Sequence, residues 1–459
     1  MSCKKLLICL ICTVILFSIF SGMSCRSASE KDLNVILIVI DCLRVDHLSC
    51  YGYQEETSPN IDNIARLGVK FNNAYSNSPW TKPSVATYFT SLYSNSHNAI
   101  NVPDVLSDEA LTIAEIMSGH GYFTFYVNGG NPSISEKFHF TQGFEKYIET
   151  QNDAADLTDA FLTELPELQE KKFFAYLHYM DAHLPYNRNK FINKISDKNE
   201  KFIPGDNENL TLMRIRELSK EEKLSRADKD FLIALYDQQI KYVDFNIKRI
   251  IQNLEEDNLL QDTVLIITAD HGEEFWDHDD FEHGHTLYDE LLRVPFIIYG
   301  GNFKPKEIMT QVRLIDLPPT ILDIVHGENR FRMQGQSLLK IIKKGKGGKE
   351  LPVFATGLLY GDEKYCLIKN RIKFIVNTRN FKGKNKNYFF RRRSKLELYD
   401  LEKDPKEQKS IMEEKSHEDI FALKRSMSPF MYPDFSLRKK KVSLDNQLER
   451  KLKALGYVK

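Results

Sequence analysis

The chain has 459 residues, enough for one large α/β domain with a subdomain or for two domains. Apolar residues make up 42% and charged residues 28%, a globular balance that excludes disorder of the chain as a whole. The formal net charge is −1, which excludes the strong basic excess usual in a nucleic-acid binder.

Lys4 and Lys5 precede an apolar run from Leu6 to Phe20, followed by Ser21-Gly22-Met23-Ser24-Cys25. A run of that length is short for a membrane span and fits a signal-peptide core. A permanent anchor counted from Leu6 to Met23 is the alternative. Cys25 stands where a lipoprotein signal places its lipidated cysteine, although Gly22 is unusual three positions before it. Residues 1–25 are therefore read as a signal peptide, lipoprotein signal or anchor, and the protein as extracytoplasmic, periplasmic or on the cell surface. Of seven cysteines, Cys3, Cys9 and Cys12 would leave with the signal. The remaining Cys25, Cys42, Cys50 and Cys366 are too few for a disulfide scaffold, though Cys42 and Cys50 could pair.

Apolar runs then alternate with helical patterns, as in βαβ units around a mostly parallel sheet. Val35–Ile40 is wholly apolar and largely β-branched, the mark of a central strand covered on both faces. Tyr122–Val127, Phe173–Met180, Val264–Thr268 and Phe296–Tyr299 read alike. Ser58-Pro59-Asn60 opens a helix, with a capping residue followed by a first-turn proline. Pro83 and Ser84 open another that continues through Leu92. From Asp228 to Leu254 apolar residues recur at three and four, which predicts a long amphipathic helix. Residues from about 187 to 226 are charged and weakly periodic, as in a surface insertion. After about Pro305, short apolar segments alternate with basic ones, such as Lys340–Lys349 and Arg391-Arg392-Arg393. These predict a smaller subdomain with antiparallel strands and solvated basic loops.

In open parallel sheets, ligands bind beyond the carboxyl ends of the strands, so polar residues that follow apolar runs are the candidates. Asp41 directly follows the first run. Asp270-His271-Gly272-Glu273 follows Val264–Thr268, and both Asp270 and His271 can reach one cation if Gly272 permits a sharp turn. Asp270 and Glu273 would also suit a helix start. His178, Asp181 and His183 lie near the end of Phe173–Met180. On a strand His178 and His183 would face oppositely, so a loop from about Met180 brings in Asp181 and His183 and leaves His178 to the core. Asp277–His285 packs three histidines and four acids into nine residues, His283 and His285 among them. Thr81 precedes the helix start at Pro83, where helix N–H groups favour an anion. A hydroxyl there can cap the helix or, beside a metal, become a nucleophile.

Taken together, these segments resemble the sulfatase-like branch of the alkaline-phosphatase superfamily over most of the chain after residue 25. The resemblance is carried by Asp41–His47 with Tyr51-Gly52-Tyr53, Thr57–Asp62, Thr81-Lys82-Pro83-Ser84, His178–Tyr186 and Tyr236–Asp244. It continues through Thr268–Glu273, His283–Glu290 with Arg293-Val294-Pro295, Asp316–Thr320, Leu398–Leu401 with Asp404-Pro405, and Leu455-Gly456-Tyr457. It implies an α/β alkaline-phosphatase-like fold, a mostly parallel sheet flanked by helices, with a smaller C-terminal α+β subdomain. The catalytic domain is expected over 33–303, and 304–459 supplies the rest of that fold and the subdomain. It also implies one divalent metal, calcium, zinc or manganese, held by Asp41, Asp270, His271 and Thr81. Thr81 would attack sulfur or phosphorus, His183 and His283 would contact the anionic group or the leaving oxygen, and Lys82, Asp181 and His285 would help hold the substrate.

Two departures narrow that reading. Sulfatases carry Cys or Ser followed by a Pro-Ser-Arg element and oxidise that residue to formylglycine. Here Thr81 would oxidise to a ketone, and Val85 replaces the arginine. Cys42 replaces an aspartate that many sulfatases use as a metal ligand. The expected function is hydrolysis or transfer of a phosphate or sulfate ester through unmodified Thr81, on an anionic substrate such as a glycan or lipid headgroup. The alternatives are a formylglycine-independent sulfuric ester hydrolase and a non-catalytic binder of anionic glycans or headgroups. No nucleic-acid partner is expected, and membrane association would run through the N-terminus.

Overall fold

The computed structural model describes residues 33–151, 153–186, 212–220, 223–327, 331–345, 350–378 and 396–458. The N-terminal signal with Cys25, most of the insertion and Arg391-Arg392-Arg393 lie outside the described residues. Among the described residues, no helix is long and apolar enough to cross a membrane.

Eight strands form the main sheet: β1 (Asn34–Ile40), β2 (Val69–Phe71), β3 (Phe123–Asn128), β4 (Lys146–Glu149), β5 (Phe173–Tyr179), β6 (Thr263–Thr268), β7 (Phe296–Gly300) and β8 (Lys306–Ile308). Their order is β8-β2-β7-β6-β1-β5-β3-β4. β1 lies at the centre, parallel to β5 and β6, and every residue of the three is buried. Burial on both faces is why these strands read as unbroken apolar runs rather than as an alternation. β3 and β4 extend the parallel half, whereas β7 runs antiparallel to β6 and β2.

The helices used below are α1 (Pro59–Leu67), α2 (Thr81–Thr90), α3 (Ala154–Leu168), α4 (Arg226–Glu256), α5 (His417–Met431) and α6 (Asn446–Ala454). α4 is the long helix expected from the repeat, and its polar residues tie together loops beyond the sheet. Asp244 accepts the amides of Asn60 and Ile61 at the start of α1. The Tyr236 hydroxyl donates to Cys42 O and accepts from Arg44 N, both at 2.8 Å, which pins the turn after β1.

The smaller sheet is antiparallel, β9 (Val353–Ala355), β10 (Lys364–Lys369), β11 (Ile372–Asn377) and β12 (Leu396–Asp400) in sequential order. One face packs Phe354, Leu367, Phe374 and Leu398 against Met427 of α5. The other packs Val353, Cys366, Ile368 and Ile375 against Tyr75, Leu287, Tyr288 and Leu292 of the main domain. The last helix leaves this subdomain: Leu448 and Leu452 of α6, with Leu455 and Tyr457, join the main core.

Three local expectations change. α2 starts at Thr81 rather than Pro83, Trp80 holds the capping position, and it has no side-chain capping bond. No helix follows Asp270; residues 271–273 are loop. Cys42 and Cys50 are free thiols.

Candidate active site

Four strand ends converge beyond the carboxyl edge of the parallel half. Asp41 follows β1, Asn131 lies just past β3, His183 past β5, and Asp270-His271 past β6. This is where an open α/β sheet leaves backbone groups and side chains free to meet a ligand. α2 enters across the same edge, tethered by the Ser84 hydroxyl donating to Asp270 O at 2.7 Å.

Thr81 Oγ1 stands 3.3 Å from Asp41 Oδ2 and 3.3 Å from His271 Nε2. His271 Nε2 lies 3.5 Å from Asp41 Oδ1 and 3.3 Å from Asp270 Oδ2. All four residues are fully buried. His271 Nδ1 donates to Gly272 O at 2.8 Å, so Nε2 presents a lone pair. Burial, reinforced by His283, pushes the His271 pKa down to about 3, which keeps the ring neutral. Asp270 Oδ2 is buried without a hydrogen-bond partner. Carboxylate and imidazole lone pairs thus face one another with too few protons between them. Donors bound at about 2.0–2.2 Å to one small cation stand roughly 3.4 Å apart in a tetrahedral shell, close to the 3.3–3.5 Å separations of His271 from Thr81, Asp41 and Asp270. The residues therefore fit a divalent cation, which Asp41, Asp270, His271 and the Thr81 oxygen would hold; the acids, thiol and imidazoles here also cluster as Asp41, His178 and Asp270, and as Cys42, His271 and His283.

Electrostatics divides the two carboxylates. Burial opposes ionisation of Asp41, but the His178 hydrogen bond and the nearby His183, His178 and His271 imidazoles outweigh it and hold its pKa well down. Asp270 is pushed well up, first by burial and then by the Asp41 charge. Two carboxylates this close cannot both ionise freely without a cation.

Gly272 does not make a sharp left-handed turn. Its role is close approach: a Cβ there would lie 2.0 Å from Glu290 O, while its amide donates to Leu291 O at 2.9 Å. The Asp270-His271 loop is thereby pressed against the chain segment that follows His283.

His183 and His283 face each other across the cluster with ring centroids 5.0 Å apart, and His283 lies 4.5 Å from the His271 ring. His183 Nδ1 donates to Leu184 O, which leaves Nε2 as an acceptor. His283 Nδ1 lies 3.0 Å from Glu273 Oε1 and 3.5 Å from Cys42 Sγ. Burial drives the His283 pKa well down and the Glu273 carboxyl up to about 8.

Three expected substrate contacts are placed elsewhere. Lys82 follows Thr81 on a helix, so its side chain points about 100° away. Its buried ammonium donates to Val102 O and Asp104 O and lies 3.4 Å above the Phe138 ring. The Asp181 side chain accepts Ala154 N, the first amide of α3, at 3.0 Å, beside the capping residue Asp153. His285 Nε2 pairs with Glu274 at 2.9 Å, and its carbonyl accepts Lys364. In these contacts none of the three meets Thr81, Asp41, Asp270 or His271.

Other residues do. His178 is not inert core: Nε2 donates to Asp41 Oδ2 at 3.1 Å, and Nδ1 accepts from the Tyr176 hydroxyl at 2.7 Å. Asn131 Oδ1 accepts from Ser133 N and Ser133 Oγ, which orients its amide. Nδ2 then donates toward Asp41 Oδ2 at 3.0 Å, Thr81 Oγ1 at 3.3 Å and Tyr457 OH at 3.0 Å. Tyr457 arrives from the C-terminus, 3.1 Å from Thr81 Oγ1 and 3.3 Å from His183 Nε2, with its ring against Trp80. Burial holds its phenol well above the usual pKa, hence protonated. The strand-end rule that pointed to Asp41 also points to Asn131, just past Phe123–Asn128. The resemblance includes Leu455-Gly456-Tyr457, but nothing in the sequence places Tyr457 at the strand-end cluster.

The sulfatase family profile matches residues 33–327, and the profile of the N-sulphoglucosamine sulphohydrolase C-terminal region matches 277–429. An arylsulfatase of Clostridium perfringens is 24% identical over 84% of this chain and 91% of its own. A Δ4,5-hexuronate-2-O-sulfatase of Bacteroides thetaiotaomicron is 22% identical over 88% of this chain and 90% of its own. Among solved structures, a protein in complex with its substrate D-glucosamine-2-N,6-O-disulfate superposes with TM-score 0.69 at 20% identity, covering 88% of this chain and 99% of that one. A phosphonate monoester hydrolase from Silicibacter pomeroyi gives 0.68 at 20% identity, over 86% and 94%. At such identities the structural likeness is one of fold.

Proposed function

Because the chain belongs to the sulfatase family, we propose that it cleaves a sulfate, phosphate or phosphonate ester by attack of the unmodified Thr81 hydroxyl. The observation that carries this reading is the position of Thr81 Oγ1 at the first residue of α2, 3.3 Å from both Asp41 Oδ2 and His271 Nε2. A threonine that only capped the helix would have no need of converging acid and imidazole lone pairs. The named relatives supply the substrate class: sulfated sugars in one structure and phosphonate monoesters in another. An anionic glycan or headgroup ester is the substrate proposed here.

Thr81 Oγ1 attacks sulfur or phosphorus, and the bond to the leaving ester oxygen breaks. One histidine of the His183–His283 pair supplies the proton that oxygen needs. Water then attacks the same sulfur or phosphorus atom and restores the threonine. Asn131 holds Asp41 and Tyr457 beside the Thr81 oxygen throughout, and the α2 N-terminus favours the anionic group. A divalent cation held by Asp41, Asp270, His271 and Thr81 would lower the hydroxyl pKa and offset charge on the transferred group. We also propose export through residues 1–25, which N-terminal sequencing of the mature protein tests.

The activity test uses the chain from Arg26 with zinc, manganese or calcium against aryl sulfate, phosphate, phosphodiester and phosphonate esters. Thr81→Ala should abolish turnover, Thr81→Ser should retain part of it, and mass spectrometry should trap the sulfuryl or phosphoryl group on Thr81. Full activity of Thr81→Ala would falsify the mechanism. A bound metal with no turnover on any ester would favour a binding protein instead.

A further inference from the structure

We propose that Tyr457, delivered by the C-terminal segment, is a catalytic residue that relays the Thr81 hydroxyl proton to His183. This rests on Thr81 being the nucleophile. It assigns a path for the proton that must leave it and makes His183, rather than His283, the acid.

The hydrogen bonds around Tyr457 are consistent with one donor-to-acceptor chain. His183 Nδ1 is committed as donor to Leu184 O, so Nε2 can only accept from the Tyr457 hydroxyl, 3.3 Å away. The Tyr457 proton therefore points to His183, and its oxygen has two lone pairs left. Asn131 Nδ2 donates to one at 3.0 Å. Thr81 Oγ1, at 3.1 Å, meets the other. The other acceptors near the Thr81 proton are the Asp270 carboxylate, and Asp41 Oδ2 and His271 Nε2, both at 3.3 Å. Asp41 Oδ2 already accepts from Asn131 and His178, and all three residues belong to the set proposed to hold the cation. Tyr457 is the acceptor left over. Its ring is braced against Trp80 and His183, and Leu452 and Leu455 anchor the segment in the main core.

The step balances as follows. The Thr81 proton moves to Tyr457 oxygen while the Tyr457 proton moves to His183 Nε2, so no tyrosinate accumulates. The freed electron pair on Thr81 oxygen bonds to sulfur or phosphorus, and the bond to the leaving oxygen breaks. The His183 imidazolium then gives that oxygen its proton. In the second half, water attacks and passes a proton to His183, and the same chain returns one to Thr81.

The experiment compares wild type, Tyr457→Phe, His183→Asn and the double variant on phenyl and 4-nitrophenyl esters of sulfate and phosphate. Each single change should lower kcat/KM by about a hundredfold or more. The double variant should be no slower than the slower single one, because both break one chain. The loss in Tyr457→Phe should be larger for phenyl than for 4-nitrophenyl esters, since the better leaving group needs its proton less. A purely structural tyrosine would lower Tm and hit both esters alike. If Tyr457→Phe unfolds, 3-fluorotyrosine at 457 keeps the packing while shifting the phenol acidity, and an unchanged rate there overturns the relay. So does a Tyr457→Phe enzyme within about threefold of wild type, or losses that multiply in the double variant. An active wild type with an unimpaired Tyr457→Phe removes only the relay; a wild type inactive on every ester removes the ester-cleavage reading, and the relay with it.

Discussion

Replacing His178 with phenylalanine should weaken metal binding without dissolving the fold. His178 is fully buried, and its Nε2–H donates to Asp41 Oδ2 at 3.1 Å. The same oxygen keeps the Asn131 bond at 3.0 Å, so the substitution removes one of two charge-assisted donors that orient it. On the other side, the Tyr176 hydroxyl keeps its partner, Tyr88 OH at 2.8 Å, and no buried hydroxyl is left alone. Phenylalanine fills nearly the same volume, so the packing cost is small. A hydrogen bond to a charged group is worth about 1.5–3 kcal/mol, which converts to a roughly 10- to 150-fold weaker metal affinity. That range agrees with the usual cost of losing a partner of a metal ligand. The assay is competition for zinc and manganese against a chromophoric chelator, with thermal melts of the metal-free and metal-loaded forms. His178→Gln, whose amide can still donate to Asp41, should recover part of the loss. A folded His178→Phe protein that binds both metals as tightly as wild type would refute the assignment of Asp41 as a ligand oriented by His178.

Asp181 is buried against the first amide of α3, and burial raises its carboxyl to about 8, whereas an unfolded aspartate ionises near about 3.9. Between those values the folded chain holds a proton that the unfolded chain has lost, so stability falls as pH rises, by up to about 1.4 kcal/mol per pH unit. Asp181→Asn keeps the accepting oxygen and should flatten that slope in denaturation series from about pH 5 to about pH 8; identical slopes in both proteins contradict the account, and a large loss of kcat/KM would restore Asp181 to the substrate. Lys373 of β11 is fully buried and donates to Asp289 Oδ1 at 2.8 Å and Glu407 Oε2 at 3.2 Å, joining the small sheet to the main domain. Lys373→Met leaves the buried Glu407 and the partly buried Asp289 without their cation and should cost about 3–5 kcal/mol; a loss under about 1 kcal/mol in urea unfolding would show that the junction is held by its apolar contacts alone.

The elements that depend on local pattern are those the sequence settles unaided. β1, β5 and β6 are continuous apolar runs because both faces of a parallel sheet are covered, and each lies where its run predicts. α4 follows from its three-and-four spacing. Asp41, Asp270, His271 and His183 are legible because each stands just past such a strand, where the fold makes a site. The family resemblance adds His283 and Thr81.

What failed was direction. Lys82, Asp181 and His285 are near the site in sequence but turn to Phe138, the α3 N-terminus and Glu274. Side-chain direction depends on neighbours that packing alone supplies. His178 moved the opposite way: period-two alternation on a strand placed it away from His183, yet both faces of β5 are buried, and its face meets Asp41 across the parallel pair. Tyr457 is the extreme case, separated from Thr81 by 376 positions and brought to it only because α6 returns from the subdomain to the main core. The sequence by itself determines the sheet, its strand ends and the acid and imidazole groups found there. Which of those groups gather around Thr81, and that Tyr457 reaches it, is decided by long-range packing, because hydrogen-bond partners so distant in the chain leave no periodicity to read.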